Sequence, residues 1–328
     1  GKTGCFTVGV LQLVDVNLNQ TQGIILSPTR ELSLQIKKVI DSIGTMMKKL
    51  KTQLLVGGQS VETDINELKS NPHIIIGCPG RVYDMLNRKK LLIDNLKIFV
   101  LDEADEMLSY GFKDQIYNIF QFLPNDIQLA LFSATMPSSI ENLVEKLMIK
   151  PKKILVKAEQ LTLEGIEQYY VALENDKDKY SALKDLYGVY SVSQCIIYCN
   201  SVNRVEYLYN CMMEDNFPVS QIHSNMDKEQ RTLSYNDFIN GKTRVLISSN
   251  VTSRGIDVQQ VSIVINFDIP NCQHNYLHRI GRSGRWGRKG MGINFVTRRD
   301  INIMKDIEKY YSTEIKELPN NIVEKNKT

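Results

Sequence analysis

Ile98-Phe99-Val100-Leu101-Asp102-Glu103-Ala104-Asp105 is the stretch that decides the fold class. Four apolar residues run without a polar break, and the chain then turns acidic at once. An unbroken aliphatic run is the pattern of a strand buried on both faces of a parallel sheet. Carboxylates at the carboxyl end of such a strand open onto the crevice where α/β sheets bind ligands. A purely structural reading also exists, in which the acids cap a helix N-terminus favoured by the macrodipole.

Runs of the same kind recur on both sides of this stretch. Gly23–Leu26, Gln53–Val56, His73–Gly77, Lys97–Leu101 and Gln128–Phe132 are strand candidates in the first half. Gln194–Tyr198, Val219–His223, Thr243–Ser248, Val261–Phe267 and Met291–Val296 follow in the second. Helix-length segments such as Glu31–Met47 and Asn203–Asp215 separate them, the latter with Val205, Leu208 and Met212 at helical spacing. Strand–helix alternation predicts an α/β fold with mostly parallel sheets flanked by helices. Ten strand candidates in 328 residues exceed a comfortable single sheet, so two domains are expected. The break falls in the polar stretch Val156–Glu167, after the strand-like IKPKKILV; a surface loop within one large sheet is the alternative. The expected division is residues 1–156, a linker at 157–167, and residues 168–328, with the terminal NIVEKNKT fraying.

Composition excludes several classes. Hydrophobic residues at 42% and charged ones at 23% are globular usage. No run approaches the roughly 18 apolar residues of a membrane-spanning helix, and no membrane partner is expected. Forty Lys and Arg against 37 Asp and Glu leave a net charge of +3, too small for a polybasic coat but compatible with a local basic groove. Six scattered cysteines do not make a disulfide framework, and Cys195 and Cys199 within QCIIYCN read as buried strand thiols. A reducing setting, cytoplasm or nucleus, follows.

Three motifs carry chemistry. Asp102 suits holding Mg²⁺ through water, because that ion keeps much of its water shell, and Glu103 is placed to orient or deprotonate an attacking water. Gly1-Lys2-Thr3 matches the tail of a phosphate-cradling loop, with Lys2 on the terminal phosphates and Thr3 on Mg²⁺. The same triplet at Gly241-Lys242-Thr243 reads as a turn before a strand. The third motif is His278-Arg279-Ile280-Gly281-Arg282-Ser283-Gly284-Arg285, inside a block from His278 to Arg299 with seven cations and no carboxylate. Arginines three apart with small residues between them suit phosphate oxygens, against a plain solvated basic loop.

PTREL (Pro28–Leu32), GG (Gly57-Gly58), PGR (Pro79–Arg81), DEAD (Asp102–Asp105), SAT (Ser133–Thr135), RGID (Arg254–Asp257) and HRIGRSGR occur in one order. Together they resemble the core of a DEAD-box RNA helicase, from Gly1 to about Val323. LDEADEMLSYGFKDQIY, ILVKAEQLTLEGI, VQQVSIVINFDIP and IEKYYSTEIKELP resemble the eukaryotic initiation factor 4A subfamily; YCN and YYST lean towards its nuclear, exon-junction paralogue.

That resemblance implies two tandem RecA-like domains, with ATP, Mg²⁺ and RNA bound across the cleft between them. Gly1, Lys2, Thr3, Asp102 and Asp257 would bind nucleotide, Thr3 and Asp102 through the metal, and Glu103 would handle the water. Arg282 and Arg285 would be arginine fingers supplied on domain closure, which couples hydrolysis to RNA. Ser133 and Thr135 would link the ATP site to RNA, although a helix-capping role fits them too. RNA contacts map to Pro28, Thr29, Arg30, Gly57, Gly58, Gly80 and Arg81, then to Asn200, Arg231, Ser249 and Gly255. Small residues, loop amides and a few arginines suit the sugar–phosphate backbone, so binding independent of base sequence and weakened by salt is expected.

The chain departs from the family pattern at several points. The Q-motif and the front of the phosphate loop do not precede Gly1, so a cut through that loop and weak ATP binding by the chain as written are expected. Ser249-Asn250 stands where the family has Thr-Asp, Cys78 replaces a threonine before PGR, Lys228 a glutamine, and Trp286 a Phe or Tyr. The leading expectation is an ATP-hydrolysing RNA helicase with a monomeric core and initiation-factor or exon-junction scaffold partners. A non-catalytic RNA clamp of the same fold and a DNA helicase of another family are the alternatives.

Overall fold

A computed structural model describes residues 1–108, 112–136, 138–155, 165–189, 194–250, 261–284 and 289–319. The chain divides into two compact units, Gly1–Ile154 and Leu155–Thr328. Among the described residues no helix is long and apolar enough to cross a membrane.

The first unit is built on β1 (Gly23–Leu26), β2 (Thr52–Leu55), β3 (Ile74–Gly77), β4 (Ile98–Asp102) and β5 (Gln128–Phe132). They form one sheet in the order β2-β3-β1-β4-β5, every pair parallel. The helices are α1 (Lys2–Leu13), α2 (Arg30–Ile43), α3 (Val61–Leu68), α4 (Pro79–Asn87), the short α5 (Ala104–Met107), α6 (Lys113–Phe120) and α7 (Ser138–Leu147). Strand side chains alternate between two cores. Ile25, Ile74, Ile76, Ile98 and Val100 pack under α1 and α2, on Phe6, Val10, Ile36 and Ile40. Ile24, Leu26, Ile75, Phe99 and Leu101 face Val82, Met85, Ile116 and Ile119 of α4 and α6 on the other side. Burial on both faces is why these strands read as continuous aliphatic runs.

The second unit holds β6 (Ile166–Ala172), α8 (Lys179–Val189), β7 (Cys195–Tyr198), α9 (Val202–Glu214), β8 (Val219–Ile222) and α10 (Lys228–Ile239). It continues with β9 (Val245–Ser248), β10 (Ile263–Asn266), α11 (Gln273–Ile280), β11 (Gly290–Val296), α12 (Ile301–Tyr311) and β12 (Lys316–Glu317). The sheet order is β12-β6-β11-β10-β7-β9-β8, again parallel throughout. One face packs on α8 and α9 through Leu183, Val205, Leu208 and Met212, the other on α11 and α12 through Tyr276, Ile280, Met304 and Ile307. Cys195 and Cys199 are buried free thiols, and burial pushes the Cys195 thiol up to about 12.

Three expectations about the middle of the chain are corrected. Ile166 and Glu167, read as linker, are the first residues of β6 and pair with Gly290 and Met291 of β11. The strand-like IKPKKILV forms no strand over Pro151–Leu155, and Ile154 is 95% exposed. The boundary between the units lies at Ile154/Leu155, two residues before the expected one. Residues 157–164 and the terminal NIVEKNKT lie outside the described residues.

Candidate nucleotide and RNA site

Parallel strands end on one edge of their sheet, and the first unit places its motifs there. Ser27 to Arg30 follow β1, Gly57-Gly58 follow β2, Cys78 to Arg81 follow β3, Asp102-Glu103 close β4, and Ser133 to Thr135 follow β5. This carboxyl edge is where open α/β sheets bind ligands.

Asp102 ends β4 only 3% exposed, and its Oδ1 accepts the Glu103 N–H at 3.0 Å. Burial pushes its carboxyl up to about 7, the adjacent Glu103 adds to the rise, and Lys2 opposes it. The Lys2 charge is therefore felt at Asp102, which puts the start of α1 beside the acidic strand end. Glu103 is buried with φ 52° and ψ 51°, a left-handed conformation that costs a non-glycine residue about 1–2 kcal/mol. Its Oε2 is buried without a hydrogen-bond partner. Such strain persists where the surroundings over-determine the backbone, as at active sites. Thr135 Oγ1 donates to Asp105 Oδ2 at 2.6 Å, and the Thr135 N–H to Ser133 Oγ at 3.2 Å. The segment after β5 is thus tied directly to the acidic turn after β4.

The remaining edge of this unit has its own scaffold. Thr29 caps α2, its Oγ1 accepting from the Leu32 N–H at 3.3 Å, and sets Pro28 and Arg30 on either side of the helix start. Gly58 has φ +79°, which favours glycine, whereas a Cβ on Gly57 would meet nothing within 4 Å. The fold therefore leaves Gly57 open to close approach from outside. A Cβ on Gly80 would make ordinary contact with Gln115 at 3.5 Å. Arg81 is already engaged: it pairs with Asp64 of α3, whose side chain is fully buried, and donates to the Gln59 carbonyl at 2.8 Å. Its guanidinium thus fixes the glycine loop, and burial pushes the Asp64 carboxyl up against the pull of Arg81. Sequence reading missed Asp64, because nothing in VETDINEL marks one acid as buried.

The second unit repeats the arrangement. Asn200 follows β7, His223 follows β8, Ser249 and Asn250 follow β9, and Asp268 follows β10. Asn200 is built into the fold: its N–H donates to Asp268 Oδ2 at 3.1 Å, its Nδ2 to the Ile269 carbonyl at 2.8 Å, and its Oδ1 accepts from Arg279 at 2.8 Å. Ser248 Oγ ties the end of β9 to the Ile222 carbonyl at 2.9 Å, just before the buried Ser249. Arg231, on α10, is half-buried, and its Nε has no partner. Arg282 follows α11, its Nε donating to the His278 carbonyl at 3.1 Å. Gly255, Asp257, Arg285 and Trp286 lie outside the described residues.

Comparison with known proteins identifies the family. A family model described as DEAD/DEAH box helicase matches residues 1–143, and one described as Helicase conserved C-terminal domain matches residues 178–287. The ATP-dependent RNA helicase eIF4A of Kluyveromyces lactis is 50% identical over 324 residues, spanning 99% of this chain and 82% of the relative. The chain belongs to the DEAD-box helicases, in the initiation factor 4A subfamily. Eukaryotic initiation factor 4A of Cryptosporidium parvum is 51% identical, with 99% of this chain and 80% of that one aligned. Among solved structures, Saccharomyces cerevisiae Dbp5 bound to RNA and ADP BeF3 superposes with a TM-score of 0.89 at 34% identity, covering 97% of this chain and 82% of Dbp5. The two parallel-sheet units of this DEAD-box protein are the fold its relatives share.

Proposed function

We propose that this protein is an ATP-dependent RNA helicase of translation initiation. It hydrolyses ATP when RNA is bound, and uses the cycle to open short duplexes or hold single strands without reading bases. The observation that carries the reading is the end of β4, where Asp102 and Glu103 are adjacent and buried, burial together with the neighbouring Glu103 raises the Asp102 carboxyl, and Glu103 Oε2 is unpartnered. Two neighbouring buried carboxylates are a donor set that a hard dication relieves, so the residues fit Mg²⁺. Thr3 and Asp102 would hold that ion, which supplies neutralising charge at phosphate oxygens. Gly1 and Lys2 cradle the terminal phosphates, and Glu103 orients the attacking water and accepts its proton. From the second unit, Asp257 would contact nucleotide, while Arg282 and Arg285 would stabilise charge on the phosphoryl group.

RNA would run over loop amides and hydroxyls at Pro28, Thr29, Arg30, Gly57, Gly58 and Gly80, then Arg231, Ser249 and Gly255. For Arg81 and Asn200 a supporting role behind those loops fits their internal bonds better than a direct contact. The Thr135–Asp105 hydrogen bond is a physical route by which Ser133 and Thr135 could couple the two ligands. Its partners would be scaffold proteins of translation initiation, in the cytoplasm, a reading supported by the relatives' names as initiation factors. The test compares ATP turnover by the full-length protein with RNA and with DNA of equal length. RNA should stimulate and DNA should not; equal stimulation would remove the RNA assignment.

A further inference from the structure

Arg279, on α11, is wholly buried, yet every hydrogen bond it makes goes to a neutral oxygen. Nε and Nη2 both donate to Asn250 Oδ1, at 2.9 and 2.7 Å. Nη1 donates to Asn266 Oδ1 at 3.2 Å and to the Asp268 carbonyl at 2.8 Å, and Nη2 also reaches Asn200 Oδ1 at 2.8 Å. The guanidinium carbon lies 5.2 Å from the centroid of the Tyr198 ring. The acid beside it is committed elsewhere, since the Asp268 carboxylate takes Lys179, Arg204 and the Asn200 N–H. Asp176 pairs with the same Lys179 and Arg204. Among the described residues three cations thus share two carboxylates, and the charge left over is that of Arg279.

A buried ion with no carboxylate in contact is costly, and burial pushes the Arg279 pKa down against the pull of the nearby Asp268 charge, to about 10, which still leaves it charged at neutral pH. Replacing the Asn250 amide by an isosteric carboxylate would neutralise it, so the amide preserves a positive field. That field emerges where it is useful. Asn200 and Asn250 follow β7 and β9 on the carboxyl edge of the sheet, and Arg282 follows one turn after Arg279.

We propose that Arg279 is a field-supplying, positioning residue that strengthens the second unit's hold on a phosphate backbone, and that Asn250 sets its effect by remaining neutral. This rests on the RNA-binding function proposed above. A unit charge in a poorly screened interior changes the affinity of a neighbouring phosphate backbone by about ten-fold.

The test measures binding of a fluorescent single-stranded RNA to the full-length protein at low and high salt, with thermal unfolding in parallel. Asn250→Asp should bind about ten-fold more weakly at low salt, with a smaller deficit at high salt and no loss of thermal stability. Asn266→Asp places the same charge against Nη1 from β10, a strand with no expected RNA residue, and should weaken RNA binding likewise. Asn250→Ala removes the clamp but keeps the charge, so it should lower thermal stability while the folded protein retains RNA affinity within about two-fold. Wild-type affinity in both aspartate variants, or an equal loss in Asn250→Ala and Asn250→Asp, would overturn the inference while leaving the functional reading intact. A wild-type protein that binds no RNA would overturn both.

Discussion

Removing Arg81 should unfold the first unit at lower temperature rather than merely loosen its grip on RNA. The Asp64 side chain is 0% exposed and its partner Arg81 10% exposed, so Arg81→Ala strands a carboxylate in the interior. Breaking a buried ion pair by deleting one partner costs about 3–5 kcal/mol, and the slight exposure of Arg81 argues for the lower end, about 3. For a unit of this size each kcal/mol shifts the midpoint by about 2–4 °C, giving a fall of roughly 6–12 °C. The pH dependence has a definite sign. Burial raises the Asp64 carboxyl above its ordinary value, and Arg81 is what opposes the rise. Without Arg81 the folded state holds its proton more tightly than the unfolded state does. Stability of the variant then falls as pH rises from the unfolded carboxylate range through the raised folded pKa, so the penalty at pH 8 exceeds that at pH 5. Adding Asp64→Asn removes the orphaned charge and should restore most of the lost midpoint. Circular dichroism melts of the four proteins of this cycle measure the effect. An unchanged midpoint in Arg81→Ala, or no recovery in the double variant, would refute the positioning role and return Arg81 to direct RNA contact.

Three further outcomes are expected. Arg282→Ala should abolish RNA-stimulated ATP hydrolysis while nucleotide binding measured without RNA changes little; full turnover would end the finger assignment. Gly58→Ala should cost about 1 kcal/mol in a thermal melt because of its left-handed backbone, whereas Gly57→Ala should leave the melt unchanged and weaken RNA binding. Asp102 titrates near 7 in the folded state, well above an unfolded carboxyl, so its burial destabilises the ligand-free protein increasingly as pH rises through that value. Asp102→Asn should therefore raise the melting midpoint at pH 8 and much less at pH 5, while ATP turnover is lost.

Legibility in the sequence followed burial. Strands such as Ile98–Asp102 and Cys195–Tyr198 are covered on both faces, and their aliphatic runs announce it. Ile166–Ala172 escaped notice because it sits one place from the sheet edge, flanked outside only by the two residues of β12, and mixes Glu, Gln and Tyr with its aliphatics. The IKPKKILV segment has the composition of a strand but forms none over Pro151–Leu155. Site residues at strand ends were readable because the parallel topology sends all carboxyl ends to one edge. Their supports were not. Asp64 meets Arg81 across 17 residues, and the three asparagines around Arg279 come from three different strand ends or loops. An amide buried against a guanidinium has the same letter as one in a surface turn. The substitution of Asn250 for an acid was visible in the sequence, but its consequence required the partner to be seen.

We propose that the left-handed, buried Glu103 at the end of β4 drives hydrolysis of ATP in an RNA-dependent reaction. Glu103→Gln keeps the shape of the side chain and removes its ability to accept a proton. Steady-state ATP turnover by the full-length protein at saturating RNA should fall about a hundred-fold or more in this variant, while RNA binding in the presence of ATP is retained. Turnover at the wild-type rate in Glu103→Gln would contradict the account.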